Sequence, residues 1–175
     1  MSPAPNCPSF ALIESQIDRV KARLTDAPVQ DIVLVRLIKA MSGQLGYHLS
    51  RKVRPHNISE VGFRTLTMLY AHLDTGINPS DLSEASGETR TNMTRICDDL
   101  VRKGLIRRRP STEDRRRIVL ELTKKGVALI EKLLPQVWTG VSATTSALSQ
   151  TEKDTLERLL KKLLFAFEAN HQNEK

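Results

Sequence analysis

The spacing of apolar residues changes once along this chain, and that change limits the folds open to it. Through residues 28–53 and 89–103 the apolar side chains recur every three or four positions, as in amphipathic helices. Residues 117–122 alternate instead, and with residues 105–109 they predict two strands around the polar turn 110–114. Helical spacing then returns. The sequence therefore predicts a mainly α-helical chain that carries one small β-hairpin.

Proline, glycine and capping residues predict where the helices begin and end. Asn78–Pro79 suits the start of a short helix, Gly87 its left-handed end and Thr89 the cap of the next helix. Two short helices around a glycine-containing turn form a helix-turn-helix pattern. We expect helices over about residues 10–24, 28–53, 80–85 and 89–103, from Ser59 to the turn at Asp74, from Thr123 with a bend at Pro135, and from the capping box at Ser149.

Positive charge is concentrated in one segment. The formal net charge is +7, and residues 90–117 hold ten Lys or Arg against four Asp or Glu, which accounts for +6 of it. Within the stretch 107–117, three arginines stand on each side of a five-residue interruption. A basic region of this kind in an otherwise nearly neutral chain is typical of proteins that bind a polyanion.

The helix after Thr89 has one face for the core and another for a partner. Its apolar residues share one face at helical spacing: Met93, Ile96, Cys97 and Leu100. Its N-terminal half exposes four polar side chains together: Arg90, Thr91, Asn92 and Arg95. Asn and Arg side chains make bidentate contacts with base edges in a major groove. We therefore expect the first half of this helix to read DNA, although a merely solvated face is the alternative.

The arginines on both sides of the hairpin turn predict a second contact. A narrow minor groove concentrates negative potential and accepts inserted arginine side chains. Asp114 would hold a neighbouring arginine through a bidentate pair, which fixes the direction of that arginine before DNA arrives. We expect double-stranded DNA as the partner, bound by the hairpin and by the preceding helix at once.

Other classes of function find little support in the residues. The longest unbroken apolar run, Leu163–Phe167, is far shorter than the roughly 18 residues of a membrane helix, and the N-terminal residues do not form a signal peptide. Cys7 and Cys97 form no CxxC pair, and the histidines lack ligand spacing, so we expect no metal site. No glycine-rich phosphate loop or GxSxG motif is present. We expect a cytoplasmic protein that is not an enzyme and needs no cofactor.

Several motifs together resemble the MarR family of winged-helix regulators. They are Leu82–Ser83 through Gly104–Leu105, Arg115–Arg116 after Asp114, and Leu122-Thr123-Lys124-Lys125-Gly126, within a match over about residues 30–168. The segments 88–92, 134–135 and 148–154 look closest to the branch of the family that represses multidrug-efflux operons. The resemblance implies a winged helix-turn-helix DNA-binding domain, a helical dimerisation region, and a homodimer on a pseudo-palindromic operator.

The resemblance also distributes roles among the candidate residues. It places Thr91, Asn92 and Arg95 on the recognition helix. It places Arg115 and Arg116 in the wing, with Arg116 inserted into the minor groove and Asp114 orienting it. Four further arginines exceed the usual family pattern and suggest additional phosphate contacts: Arg107, Arg108, Arg109 and Arg117.

An effector site and a division of the chain follow from the same resemblance. Small aromatic or phenolic compounds would bind between the winged-helix and dimer regions and release DNA. Arg36 would pair with an anionic ligand, and Phe63 and Tyr70 would pack against a ring, unless all three are ordinary structural residues. We divide the chain into a disordered start (1–9), N-terminal dimerisation helices (10–55), the DNA-binding domain (56–123) and C-terminal dimerisation helices (124–170).

Two other interpretations stay open. A redox-responsive regulator of the same fold would use Cys7 or Cys97, although the helical spacing of Cys97 predicts a buried thiol. A basic architectural protein would bind nucleic acid without sequence preference. Competition with scrambled DNA distinguishes such a protein from a specific regulator.

Overall fold

The computed structural model describes residues 8–110 and 117–173, and it confirms a mainly helical chain with one β-hairpin. The helices are α1 (Pro8–Lys21), α2 (Val29–Val53), α3 (Glu60–Tyr70), α4 (Pro79–Ser86), α5 (Arg90–Arg102), α6 (Lys124–Thr145) and α7 (Gln150–Asn173). The strands β1 (Ile106–Pro110) and β2 (Ile118–Leu122) lie between α5 and α6. One 3-10 turn, Arg54–His56, follows α2.

Local side chains begin four of these helices where the sequence predicts. A side-chain oxygen accepts a hydrogen bond of 2.8–3.2 Å from a first-turn backbone N–H at each of the capping residues Ser59, Asn78, Thr89 and Thr123. Gly87 ends α4 at φ +70°, a conformation that costs glycine little. The predicted helix-turn-helix of α4 and α5 is therefore confirmed, with its ends set by nearby residues.

The core lies where α3, α4, α5, the hairpin and α6 meet. Its largest fully buried side chains come from all of these elements: Leu66, Leu69, Leu82, Met93, Leu100, Ile106, Leu120, Ile130 and Leu133. Thr65 is buried among them, and its hydroxyl donates to the carbonyl oxygen of Val61 at 2.9 Å. Because this core is shared, α5 and the hairpin are held in a fixed relation to each other.

The hairpin is antiparallel, and a third segment, which the sequence did not predict, pairs with its second strand. Arg107 lies opposite Glu121 and Arg109 opposite Val119 in the register of the two strands. The backbone N–H of Ile77 donates to the Leu120 carbonyl at 3.0 Å, and that of Leu120 donates to the Ile77 carbonyl at 2.8 Å. This bridge fixes the base of the hairpin to the segment just before α4.

Close packing explains why the motif that opens α6 has a glycine at position 126. A Cβ atom added there would lie 2.1 Å from the carbonyl oxygen of Leu105, which is far inside contact distance. Thr123 stabilises the same close approach. Its backbone N–H donates to the Leu105 carbonyl at 3.0 Å, and its hydroxyl donates to the Gly104 carbonyl at 2.7 Å. The first turn of α6 therefore packs directly on the start of β1.

Some boundaries differ from those expected. The first helix begins at Pro8, inside the segment 1–9 that we expected to lack structure, because proline is tolerated in the first turn of a helix. Residues 1–7 lie outside the described residues. As expected, α6 continues past Pro135, and the bend expected there stays a prediction. Among residues 8–110 and 117–173, none of the helices combines the length and the hydropathy of a membrane span.

Candidate nucleic-acid interface

The two faces of α5 are separated as the sequence predicts. Its four apolar residues are buried, with exposures of 1% to 6%: Met93, Ile96, Cys97 and Leu100. Arg90, Thr91 and Arg95 are exposed, and Asn92 is partly exposed. The N-terminal half of α5 therefore presents polar side chains to the surroundings while the opposite face anchors it.

Asn92 is the centre of a hydrogen-bonded chain on that surface. Its Nδ2 atom donates to Oε2 of Glu88 at 2.5 Å, and its Oδ1 atom accepts from Nη2 of Arg95 at 2.9 Å. Since both ends of the amide are engaged, the orientation of Asn92 is fixed and the direction of the Arg95 guanidinium is fixed with it. Glu88 thus positions two residues that were expected to contact bases.

Hydrogen bonds to its main chain hold the loop that carries Glu88. The hydroxyl of Ser83 donates to the Glu88 carbonyl at 2.7 Å, and the Glu88 N–H donates to the Ser83 carbonyl at 3.2 Å. Nη2 of Arg64, on α3, donates to the Ser86 carbonyl at 2.8 Å. Our sequence analysis missed Glu88. Because Glu88 precedes the capping residue Thr89 and lies outside α5, the helical spacing rule does not identify this pair in the sequence.

Glu121 holds two arginines at the base of the hairpin. Its carboxylate accepts from Nε of Arg107 at 3.1 Å and from Nε of Arg109, and its side chain is 12% exposed. Burial raises the pKa of Glu121, but the two arginine hydrogen bonds outweigh it and hold the pKa below its usual value. Arg107 and Arg109 therefore have an intramolecular partner that sequence analysis did not assign to them.

Arg108 points to the other side of the hairpin and connects it to α5. Its Nη2 atom lies 2.6 Å from Oδ1 of Asp98. Asp99, the next residue, is paired with Lys103 and with Arg102, and the hydrogen bond from Lys103 is the main reason that its pKa is lowered against the effect of burial. The two acidic residues of α5, which would repel phosphates, are thus each matched by a cation.

The tip of the hairpin lies outside the described residues. This applies to Asp114, Arg115 and Arg116, so the orienting pair and the inserted arginine stay predictions. Arg117, just before β2, is exposed. With Arg109 it lines a surface cavity of about 430 Å³.

The three candidate effector residues do not surround one cavity. Phe63 is 4% exposed and belongs to the core. The hydroxyl of Tyr70 donates to Oε1 of Glu131 at 3.2 Å, and this hydrogen bond raises the pKa of Tyr70. Arg36 is exposed and lines a cavity of about 540 Å³ between α1 and α2, which neither of the other two residues touches.

The described part of the chain favours neither a reactive cysteine nor a metal site. Cys97 is 1% exposed, and burial raises the pKa of its thiol to about 11 although Arg108 opposes the shift. The reactive thiolate is therefore scarce at neutral pH. Cys7 lies outside the described residues. No group of three His, Cys, Asp or Glu among residues 8–110 and 117–173 is arranged to hold a metal ion.

Sequence comparison connects this geometry to known proteins. The model of the MarR family matches residues 58–118, which run from just before α3 to the start of β2. The transcriptional repressor MprA of Escherichia coli K12 is 38% identical over 165 residues, which cover 94% of this chain and 94% of MprA. Such curated relatives are transcriptional regulators rather than enzymes, in agreement with the sequence analysis.

Structural comparison gives the same result. The complex of Staphylococcus aureus MepR with DNA superimposes with a TM-score of 0.70 at 26% identity, over 75% of this chain and 94% of MepR. MepR is a transcription regulator of the multidrug efflux pump MepA in that organism. A mutant of E. coli MarR in complex with operator DNA gives a TM-score of 0.69 at 30% identity, over 77% of this chain and 96% of that one. The winged-helix fold expected from the sequence is therefore confirmed.

Proposed function

Because the chain belongs to the MarR family, we propose that it is a repressor that binds a specific site on double-stranded DNA. The observation that carries this proposal is the ion pair of Arg108 with Asp98, which ties the wing strand to the helix that exposes Thr91 and Arg95. One unit thereby presents a helix end and a hairpin together. The DNA complexes of MepR and MarR support DNA as the partner.

In this proposal the N-terminal half of α5 enters a major groove. Asn92 and Arg95 contact base edges, for which their side chains have suitable donors and acceptors, and Arg90 and Thr91 flank them. Since Asn92 and Arg95 are hydrogen-bonded to each other, they approach DNA as a pre-oriented pair. Pre-orientation lowers the conformational entropy lost on binding.

The hairpin makes the second contact in an adjacent minor groove. Arg116 enters the groove, Asp114 orients it, and Arg115 and Arg117 contact the flanking phosphates. Arg109 reaches a phosphate only by sharing its guanidinium with Glu121, because its Nε atom already donates to that carboxylate. Counterion release by these arginines supplies much of the affinity.

A homodimer is the proposed assembly, on an operator with two half-sites about one helical turn apart. Seven large apolar side chains of α7 are exposed in the single chain: Leu156, Leu159, Leu160, Leu163, Leu164, Phe165 and Phe167. Large apolar side chains of α2 and α6, such as Met41 and Trp138, are also more than half exposed. We assign residues 10–55 and 124–170 to a shared bundle, because a second copy would remove this surface from water.

The proposal also covers the class of regulated genes and the class of effector. We propose an efflux or stress-response operon and a cytoplasmic location, and the likeness to MepR, a regulator of a multidrug efflux pump, supports the efflux operon. A small aromatic or phenolic effector would release the DNA. Arg36 lies beside a cavity and is accessible to such a ligand, whereas Phe63 is buried in the core and the Tyr70 hydroxyl is hydrogen-bonded to Glu131.

Selection of bound DNA from a random pool tests the central claim. The selected site should compete at least roughly a thousandfold better than a scrambled sequence of equal length. Equal competition would favour the basic architectural protein instead. Arg116→Ala should lose affinity mainly on sites with an A·T-rich minor groove, and Arg102→Ala, at the far end of α5, is the matched control.

A further inference from the structure

The C-terminal end of α5 is hydrogen-bonded to the segment that joins α2 to α3. Nζ of Lys103, the residue that follows α5, donates to the carbonyl oxygen of Asn57 at 2.5 Å, although the two residues are 46 positions apart in the chain. Asn57 lies between the 3-10 turn after α2 and the start of α3. This bond therefore connects α5 to the point where the helices of the proposed dimer bundle meet the DNA-binding domain.

The backbone that supplies the acceptor has a defined conformation. Asn57 has φ 56° and ψ 36°, and among the residues that the structure describes it is the only one other than glycine with positive φ. Asparagine adopts this left-handed conformation more readily than most other residues. The Asn57 N–H donates to the Arg54 carbonyl at 2.9 Å, and Val53 and Ile58, on either side of the turn, are buried in the core. The turn therefore fixes the direction of the Asn57 carbonyl.

Lys103 is held by two further contacts on its own side. Its ammonium group also donates to Oδ2 of Asp99, one turn back in α5, and its side chain is 23% exposed. Its carbonyl accepts from Nζ of Lys125, in the first turn of α6, at 2.8 Å. Because the ammonium group is partly removed from water and lies between a carboxylate and a carbonyl, its hydrogen bonds are stronger than those of a fully exposed lysine.

Arg102, the neighbour of Lys103, is a natural comparison for it. Arg102 also pairs with Asp99, at 2.7 Å, but its side chain is 76% exposed. Within the described structure, the Arg102 side chain makes no hydrogen bond to residues 54–59. Of the two cations that share Asp99, only Lys103 thus connects α5 to the junction.

A small rotation at the Lys103 end of α5 has a large effect at the DNA-binding end. The core sets where α5 lies within its own domain, and Lys103 adds a contact beyond the last core residue of the helix, Leu100. About 18 Å of helix separate Lys103 from Thr91, at roughly 1.5 Å per residue. A rotation of about 10° about the Lys103 end would move Thr91 by about 3 Å, close to the rise of roughly 3.4 Å per base pair of DNA.

We infer that Lys103 is a positioning residue that sets the separation of the two α5 helices in a dimer, and with it the spacing of half-sites that the protein accepts. It acts through Asn57, because α2 belongs to the proposed bundle and the separation depends on how each DNA-binding domain sits on its own α2. The inference rests on the proposed function as a dimeric DNA-binding protein. Base preference within a half-site is independent of Lys103, since the exposed half of α5 lies at the other end of the helix.

DNA-binding measurements on the full-length protein test this role. The operators carry the selected half-sites at the selected spacing, or with one base pair added or removed between them. Lys103→Met keeps an unbranched aliphatic side chain but removes the ammonium group, and it should reduce the preference for the selected spacing by about threefold to tenfold, as for the loss of one hydrogen bond. Lys103→Arg, which keeps a charged donor, should restore most of the preference. Arg102→Met, which removes the neighbouring charge beside Asp99, should leave the preference unchanged.

Base preference distinguishes positioning from a general loss of structure. A substitution within one half-site should weaken the binding of Lys103→Met and of the unaltered protein by the same factor. A partly unfolded variant would instead lose affinity for every operator equally and keep its preference for spacing. The inference is overturned if Lys103→Met keeps the spacing preference of the unaltered protein, or if Arg102→Met loses as much of it.

A measurement without DNA separates this inference from the proposed function. Nitroxide labels at Thr91→Cys, in a Cys7→Ser background, report the distance between the two copies by pulsed electron paramagnetic resonance, because Cys97 is buried and is not labelled. Adding Lys103→Met should broaden the distribution of distances, and adding Arg102→Met should not. Equal widths, or labels without dipolar coupling, would overturn the role of Lys103. If Lys103→Met broadens the distribution but the unaltered protein selects no DNA site, the repressor proposal fails and the control of helix separation by Lys103 stands.

Discussion

Nη2 of Arg108 lies 2.6 Å from Oδ1 of Asp98, so that the first strand of the wing is bonded to the outer face of α5. The two side chains are 40% and 55% exposed, which limits what the pair contributes to stability to less than about 1 kcal/mol. Its effect is geometric and electrostatic. It adds one contact between the hairpin and the helix, whose relation is set by the core that they share, and it neutralises an acid that would otherwise face phosphates.

Asp98→Asn should increase binding to unrelated DNA by about threefold to tenfold and lower the preference for the specific site. The change removes one negative charge and frees Arg108 for phosphates, and such contacts carry no sequence information. Competition assays with specific and scrambled DNA measure both effects. Asp154→Asn, which makes the same charge change on α7, should leave both affinities unchanged. A rise of equal size in that control would show that net charge alone is responsible.

Glu88→Ala should reduce the preference for the specific site by about tenfold while the fold stays intact. Without the carboxylate the Asn92 amide is free to rotate, and Arg95 loses its fixed partner. Binding to the selected site and to a scrambled site should be compared. Glu84→Ala on α4 is the control, because Glu84 is exposed and contacts neither residue through its side chain in the described structure. An unchanged preference in Glu88→Ala would remove the positioning role.

Arg95→Ala should cost on the order of 1–3 kcal/mol of binding free energy and relax the choice of base at one position of each half-site. Selection from a random pool with the variant protein shows the relaxed position directly. If the loss is instead the same on every sequence, Arg95 contacts phosphate only.

Glu121→Gln should lower the free energy of unfolding by about 1 kcal/mol at neutral pH. It should also make the free energy of unfolding vary less with pH in the acidic range. The pKa of Glu121 is lower in the folded chain than the unfolded value near 4.3, so its contribution is present above that value and is lost as the pH falls through the folded pKa. Urea unfolding from neutral pH to below about 4 measures this. Glu84→Gln should keep the original pH dependence, and so would Glu121→Gln if the arginine pair were unimportant.

Leu160→Ala combined with Leu164→Ala should raise the dissociation constant of the dimer by on the order of a hundredfold or more. Both side chains are exposed in the single chain, and each copy of a symmetric dimer loses both. Sedimentation at several concentrations gives the constant. Leu73→Ala, at another exposed leucine, is the control, because Leu73 lies outside the segments 10–55 and 124–170 proposed for the bundle. A double variant that stays dimeric at the same concentrations would show that the interface lies elsewhere.

Several parts of this structure were predictable because the groups that determine them are close together in sequence. The caps at Ser59, Thr89 and Thr123 bond to residues three positions later, and the apolar face of α5 repeats within a single helix. The family motif also predicted the wing, and the approach of Gly126 to Leu105 supplies its physical reason. Short-range signals of this kind retain their meaning without knowledge of the rest of the chain.

Tertiary structure alone decided which charges meet. Arg107 and Arg109 share Glu121, twelve or more residues away, and Arg108 pairs with Asp98 on a different element. No spacing rule selects these partners over phosphates, because the choice depends on strand register and on how the hairpin packs on α5. For the same reason, the three residues that the sequence suggested as one effector site are separated in the structure. Arg36 lines a surface cavity, Phe63 lies in the core, and the Tyr70 hydroxyl is hydrogen-bonded to α6. Local sequence thus determined the elements and their exposed chemistry, whereas long-range packing determined the partners of each charge.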